Sequence, residues 1–129
     1  MLTVTKIFEF AYAHRLEDYE GACKNLHGHN AKLEIEIQPT EYLSKQGLSD
    51  EKLGMVIDFS KFKKIVNEEV IDKLDHSYLN DVMDRRDPTA ENMCLWIKEK
   101  LYCKFGDALV SIRVWETSSS FAEWRIEIE

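Results

Sequence analysis

A cysteine and two histidines lie within seven residues of this sequence, as Cys23-Lys-Asn-Leu-His27-Gly-His29. A third histidine, His14, ends an earlier run of alternating polar and apolar residues. Side chains two positions apart on a strand point to the same face, so His27 and His29 are expected to face one point that His14 reaches from a neighbouring strand. Three neutral imidazoles around one cation leave a fourth position open, as in catalytic zinc sites. The spacing predicts a zinc site, with ordinary polar loop residues as the alternative.

The thiol beside these histidines has a chemistry of its own. A cation close to Cys23 would favour the thiolate, which is a usable base or nucleophile. The alternatives are a free surface thiol, or a ligand that fills the open metal position when no substrate is bound. Imidazole also suits iron, copper and nickel, and zinc is the commonest choice without redox chemistry.

Three carboxylates and the fourth histidine are further candidates. Asp75 and His76 are adjacent, and a carboxylate that contacts an imidazole can set its tautomer and raise its basicity. The alternative is a helix C-terminus with His76 near the negative end of the dipole. Glu116 ends a strand and is either solvated or accepts two hydrogen bonds from a planar heterocycle. Glu91 lies in the first turn of a predicted helix, where a carboxylate satisfies the dipole.

The elements that position these residues follow from hydrophobic periodicity. Helical spacing predicts one helix over 60–74, with Ser60 as its N-cap, and a second over 88–104 that Asp87-Pro88-Thr89 begins. Residues 40–54 are predicted to be a loop with a short helical turn. The predicted fold class is α+β, a single domain over 1–129 with one antiparallel sheet and two helices packed on one face. Strands are predicted over 2–13, 30–38, 55–59, 108–116 and 123–129.

Composition narrows the class of protein. The 129 residues are 44% hydrophobic and 32% charged, which is typical of a soluble globular domain. The net charge of -7 argues against a general nucleic-acid binder. No apolar run approaches the ~20 residues of a membrane span, and the N-terminus lacks the apolar core of a signal peptide. Three irregularly spaced cysteines do not form a disulfide framework. We expect a cytoplasmic protein with neither nucleic-acid nor membrane partners.

Seven motifs together carry a family resemblance. They are Ala13-His14-Arg15-Leu16, Cys23-x-x-x-His27-Gly-His29, Val56-Ile-Asp58-Phe59, Leu74-Asp-His76, Leu79-Asn80, Pro88-Thr89 with Glu91-Asn92, and Glu116-Thr117. With them the chain resembles the 6-pyruvoyl-tetrahydropterin synthase and 6-carboxy-tetrahydropterin synthase family.

The resemblance implies the T-fold, a four-stranded antiparallel sheet with two helices on one face. It also implies assembly by further sheet pairing into a barrel, as homotrimers or homohexamers with active sites at subunit interfaces. Tyr12 departs from the family, which commonly has a small residue there.

The resemblance also assigns roles to residues. It implies a catalytic zinc ion on the three histidines, a general base at Cys23, and a second proton handled by Asp75 and His76. Glu116 would anchor the pterin ring. Thr89 and Glu91 would bind substrate in a neighbouring subunit's pocket.

The short spacing between Cys23 and His27 resembles the carboxy branch of the family, which serves queuosine and other deazapurine pathways. The implied reaction converts 7,8-dihydroneopterin triphosphate to 6-carboxy-5,6,7,8-tetrahydropterin, acetaldehyde and triphosphate, so the enzyme would be a carbon–carbon lyase. The pyruvoyl branch, a carbon–oxygen lyase that only eliminates triphosphate, is the nearest alternative. A hydrolase that uses zinc-bound hydroxide and a non-catalytic pterin- or metal-binding module are the others.

Overall fold

The computed structural model of the chain describes residues 1–16, 21, 25–83 and 86–127. These residues form five strands and five α-helical segments, and a π-helical segment spans Asn67–Ile71. A 3-10 turn, Gly106–Ala108, joins the longest helix to the following strand. The elements are β1 (Val4–His14), β2 (His27–Ile37), α1 (Glu41–Lys45), α2 (Phe59–Val66), α3 (Asp72–Leu74), β3 (Ser77–Tyr78), α4 (Leu79–Val82), α5 (Ala90–Phe105), β4 (Leu109–Thr117) and β5 (Ser120–Arg125).

The strands form one sheet in the order β3-β1-β2-β4-β5. The long strands pair antiparallel, and β1 and β2 run in register from Val4 opposite Ile37 to His14 opposite His27. β2 begins three residues before the predicted 30–38, so His27 and His29 lie inside a strand. The predicted antiparallel pairing is therefore confirmed for the long strands, and the pairing of β1 with β2 positions the histidines.

One face of the sheet is covered by helices. The inward rows of β1, β2 and β4 are apolar and buried, whereas the outward positions carry charged residues such as Glu9, Glu34 and Arg113. Helix α5 buries an apolar stripe against this face, and Thr89 caps its start. It ends at Gly106, whose φ of 57° lies in the left-handed region that glycine tolerates. The buried stripe of α5 is Ala90, Cys94, Ile97, Leu101 and Phe105.

Three predictions about the sheet differ from the structure. Residues 55–59 are not a strand, because Met55 forms an isolated bridge with Asp50 and the amide of Asp58 donates to the carbonyl of Leu48. The segment thus bonds to its own loop, while Val56 and Ile57 are buried in the core. The predicted four-stranded sheet has a fifth member, because the short β3 pairs parallel to β1. The last predicted strand starts earlier, at Ser120, because a two-residue turn at 118–119 suffices.

The N-cap of α2 is Asp58 rather than the predicted Ser60. Its carboxylate accepts hydrogen bonds from the amides of Ser60, at 2.8 Å, and Lys61, at 3.4 Å. We expect Asp58→Ala to lower the free energy of unfolding by about 1 kcal/mol, since two first-turn amides lose their acceptor. Urea unfolding measures it, with Ser60→Ala as the control, which should stay within about 0.5 kcal/mol of the parent. Equal losses in both variants would contradict this cap.

The architecture is α+β, as predicted. Within the described ranges, no helix is both long and apolar enough to cross a membrane.

Candidate metal centre and active site

Three histidines meet where β1 ends and β2 begins. His14 pairs with His27 across the two strands, and Tyr12 pairs with His29. All three side chains therefore lie on the same face of the sheet as the buried apolar residues of β1 and β2, at the end of those rows. Their ring centroids are 4.5–4.9 Å apart, and one ligand atom from each lies within 4.8 Å of the others. The structure thus brings together the three predicted metal ligands.

Backbone carbonyls orient two of these rings. Nδ1 of His14 donates to the carbonyl of Pro88 at 2.7 Å, and Nδ1 of His27 donates to the carbonyl of Asn25 at 2.6 Å. A carbonyl only accepts, so each Nδ1 carries the proton and each neutral ring keeps its lone pair on Nε2. These two Nε2 atoms are 2.9 Å apart. Two facing lone pairs repel each other, so a cation, either a metal ion or a proton, is needed at this point.

His29 completes the donor set. Its Nε2 is buried and has no hydrogen-bond partner within the described parts of the chain. Burial lowers the pKa of His29, the carboxylate of Glu116 acts in the opposite direction, and the two other histidines lower it further. The neutral imidazole, which is the form that binds metal, is therefore favoured. An orphaned ring nitrogen beside two oriented ones fits a cation that prefers imidazole, as zinc does.

Glu116 lies at the edge of this centre. It follows Val114 by two positions on β4, so its carboxylate is on the inner face of the sheet. Its Oε1 is 3.3 Å from Nε2 of His29, although the contact lacks hydrogen-bond geometry. Burial and the Glu116 charge together raise the pKa of Tyr12 well above its ordinary value. The structure places Glu116 beside the histidines, and its role as ring anchor stays a prediction.

The predicted contact between Asp75 and His76 is present. Oδ2 of Asp75 is 3.1 Å from Nδ1 of His76, and Oδ1 accepts a hydrogen bond from the amide of Ala11 at 2.9 Å. The His76 amide donates to the Ala11 carbonyl at 2.6 Å, and its φ of 56° is in the left-handed region. This pair is thus fixed on the edge of β1 with the imidazole 84% exposed. In the described chain, no hydrogen bond or ring contact joins His76 to the three other histidines.

Asp75→Asn tests what this carboxylate does for the fold. The amide of Ala11 is the main cause that lowers the pKa of Asp75, with His76 adding to it. A lowered folded pKa gives stability that is present above the unfolded pKa and is lost as pH falls through the folded value. We therefore expect the parent to be more stable than Asp75→Asn at pH 7, and the difference to shrink below about pH 4. Urea unfolding from pH 3 to 7 measures this, and a difference that grows towards acid would contradict it.

The remaining predicted site residues have separate positions. Cys23, the predicted base, lies outside the described residues. The thiol of Cys94 is not a substitute, because burial raises its pKa to about 11. The Thr89 hydroxyl accepts from the amide of Asn92 as a helix cap, and Glu91 is exposed in the first turn of α5.

Several groups that build the site were missed by the sequence reasoning. The carbonyls of Asn25 and Pro88 orient two ligands, and backbone acceptors have no sequence signal. The side chain of Asn80 both accepts from the amide of Arg15 and donates to its carbonyl, at 3.1 and 2.9 Å. It thereby fixes the backbone that follows His14. The Leu79-Asn80 motif was the one sequence feature that pointed to Asn80.

Fold and site together define the class of protein, an α+β domain with a three-histidine centre at the end of an antiparallel sheet. A family model described as 6-pyruvoyl tetrahydropterin synthase matches residues 3–127. The chain therefore belongs to the 6-pyruvoyl tetrahydropterin synthase family and is an enzyme of the lyase class, as predicted.

Individual relatives agree with this placement. The chain is 34% identical over 145 residues to a 6-carboxy-5,6,7,8-tetrahydropterin synthase of Haemophilus influenzae, covering 97% of this chain and 99% of the relative. It is 36% identical over 124 residues to a dihydroneopterin monophosphate aldolase of Pyrococcus furiosus, covering 95% and 90%. The solved 6-pyruvoyl tetrahydropterin synthase of Caenorhabditis elegans superposes with a TM-score of 0.81 at 24% identity, covering 98% of this chain and 96% of that one. The T-fold is thus confirmed for the single chain.

Proposed function

We propose that the chain is a zinc-dependent 6-carboxy-5,6,7,8-tetrahydropterin synthase acting on 7,8-dihydroneopterin triphosphate. The observation that supports the metal dependence is the convergence of His14, His27 and His29, in which Nε2 of His14 lies 2.9 Å from Nε2 of His27. The observation that carries the substrate is full-length similarity to relatives whose names specify pterin chemistry.

Each candidate residue takes a role in this proposal. When bound to His14, His27 and His29, zinc would supply Lewis acidity toward the side-chain oxygens of the substrate. The thiolate of Cys23 removes a carbon-bound proton from the substrate side chain. Asp75 holds the ring of His76, which moves protons to and from the side-chain hydroxyls.

Substrate orientation is the task of Glu116. Its carboxylate accepts hydrogen bonds from the adjacent N–H and NH2 groups of the pterin ring, which places the ring beside the histidines. The 3.3 Å contact with His29 supports this role, because it puts the ring anchor next to the groups that face the substrate side chain.

The bond changes balance with one water. Triphosphate leaves with its oxygen, and cleavage of a carbon–carbon bond then releases acetaldehyde and leaves a carboxylate on the pterin. The carboxy product and acetaldehyde together contain the atoms of one more water molecule than the product of elimination alone, so the carboxy branch consumes one water. The pyruvoyl branch retains the two-carbon fragment and consumes none.

We also propose that the active form is a homotrimer or homohexamer with sites at chain interfaces. The exposure of His76 supports this, because the ring stands on the edge of β1 apart from its own chain's histidines. A neighbouring chain's metal centre would complete the site there. Thr89 and Glu91 would bind substrate at the same interfaces.

The decisive experiment is incubation of zinc-loaded protein with 7,8-dihydroneopterin triphosphate, followed by mass analysis of the pterin and an acetaldehyde assay. We expect equal amounts of acetaldehyde and the carboxy product. A pyruvoyl product without acetaldehyde would assign the other branch. The monophosphate is the matched second substrate, because the Pyrococcus furiosus relative is named for it. Zinc binding without turnover of either compound would overturn the proposal in favour of a binding module.

A further inference from the structure

Among the residues that the structure describes, Tyr12 is the aromatic residue whose ring packs against those of His14 and His29. It lies opposite His29 in the β1–β2 pairing, and 4% of its surface is exposed. Its ring meets that of His14 edge-on, with centroids 5.2 Å apart, and lies 5.6 Å from that of His29. Tyr12 therefore forms part of the wall that surrounds two of the three metal ligands.

The hydroxyl of Tyr12 is buried and has no hydrogen-bond partner within the described part of the chain. Buried tyrosine hydroxyls usually find a partner, because an unpaired polar group loses its hydration without compensation. Trp115 follows this rule, since its Nε1 donates to Glu34 at 2.7 Å. Phenylalanine would fill the same space as Tyr12 without the unpaired group. Packing alone therefore does not account for the hydroxyl.

The neighbours of Tyr12 indicate what the hydroxyl is for. Glu116, the proposed ring anchor, contacts His29 at 3.3 Å, and Tyr12 packs against that same histidine. The histidines face the substrate side chain, so Tyr12 lies at the junction between ring and side chain. The first side-chain carbon of the pterin bears the oxygen nearest this junction. A phenolic O–H is a suitable donor to such an oxygen.

We infer that Tyr12 determines specificity, with its hydroxyl donating a hydrogen bond to the oxygen on the first side-chain carbon of the pterin. This rests on the proposed function, because it takes a pterin as the ligand. A site that hydrogen-bonds a substrate hydroxyl discriminates against the analogue that lacks it. Tyr12 thereby selects pterins oxygenated at that carbon.

A binding comparison tests the inference without turnover. 6-Hydroxymethyl-7,8-dihydropterin and 6-methyl-7,8-dihydropterin differ only in the oxygen at that carbon. Because zinc would also attract that oxygen, we expect the zinc-loaded parent to prefer the hydroxymethyl compound by more than the roughly five- to tenfold that one hydrogen bond between neutral groups gives. In Tyr12→Phe this preference should fall about five- to tenfold, the share of one hydrogen bond between neutral groups, while zinc content is unchanged and the Tm of the ligand-free protein is not lowered.

Tyr42→Phe is the matched control, because Tyr42 packs against Gly106 at the far end of α5. It should retain the parent's preference. A preference in Tyr12→Phe that is as large as the parent's, or a parent that binds both pterins equally, would overturn the inference and leave the proposed function standing. A lower Tm in ligand-free Tyr12→Phe, or loss of zinc, would assign the hydroxyl to the fold or the metal instead. A parent that binds neither pterin and turns over no pterin phosphate would overturn the proposed function, and the inference with it.

Discussion

Replacing His27 by alanine is expected to empty the metal centre and to lower kcat/KM by at least about 10³-fold. Two ligands cannot hold a catalytic zinc ion as three do, and Lewis-acid stabilisation of the transition state amounts to several kcal/mol. His27 is half-buried at the start of β2, so the truncation leaves the core intact. Metal analysis of the purified protein should fall from about one zinc per chain to a small fraction.

His76→Ala is the control that separates metal binding from acid–base chemistry. It removes the one histidine that lies outside the cluster, so zinc should remain at the parent level. Turnover should still fall, because His76 is proposed to move protons. A His27→Ala protein that keeps its full zinc content would contradict the three-histidine centre, whatever its activity.

Cys23→Ala is expected to lower kcat by about 10²- to 10⁴-fold while the zinc content stays unchanged, which is the usual range for loss of a general base. Cys103→Ala is the matched control, since this cysteine on α5 is exposed and its thiol donates to the carbonyl of Glu99 in its own helix. It should retain the parent's rate. Steady-state turnover of 7,8-dihydroneopterin triphosphate and metal analysis measure both variants.

Full turnover in Cys23→Ala would exclude the thiolate as base and favour attack by zinc-bound hydroxide. Loss of zinc together with activity would make Cys23 a metal ligand instead. Each result contradicts the proposed role of Cys23 in a different way.

Periodic elements of the fold were predictable, and isolated segments were not. The inward rows of β1, β2 and β4 and the stripe of α5 follow the alternation that burial imposes on strands and helices. Residues 55–59 have a strand-like composition, but their hydrogen bonds go to the loop around Leu48 and Asp50. A buried apolar run does not reveal which backbone it will pair with. The two residues of β3 are too few to show any period.

Side chains of the site were predictable where chemistry restricts the residue type. His-x-His in a strand context, with Cys23 nearby, predicted that the imidazoles face one point, and the structure brings the three histidines together. The hydrogen-bond partners of the histidines were not predictable. They are the backbone carbonyls of Asn25 and Pro88, and every residue has such a carbonyl. Asp58 and Ser60 are both good caps, and only the path of the chain decides between them.

The hydrogen bond from His14 to the carbonyl of Pro88 connects the metal centre, at the end of β1, to the segment that leads into α5. Pro88 immediately precedes the cap of α5, and the same helix packs on β4 and β5. A cation bound to His14 would stabilise the folded chain, because it binds the folded state and not the unfolded one. The His14–Pro88 hydrogen bond would extend this stabilisation to the start of α5. Chelation should therefore accelerate hydrogen exchange at the amides of Asn92 and Met93, in the first turn of α5. Metal binding would thus control the local stability of the first turn of α5 as well as catalysis.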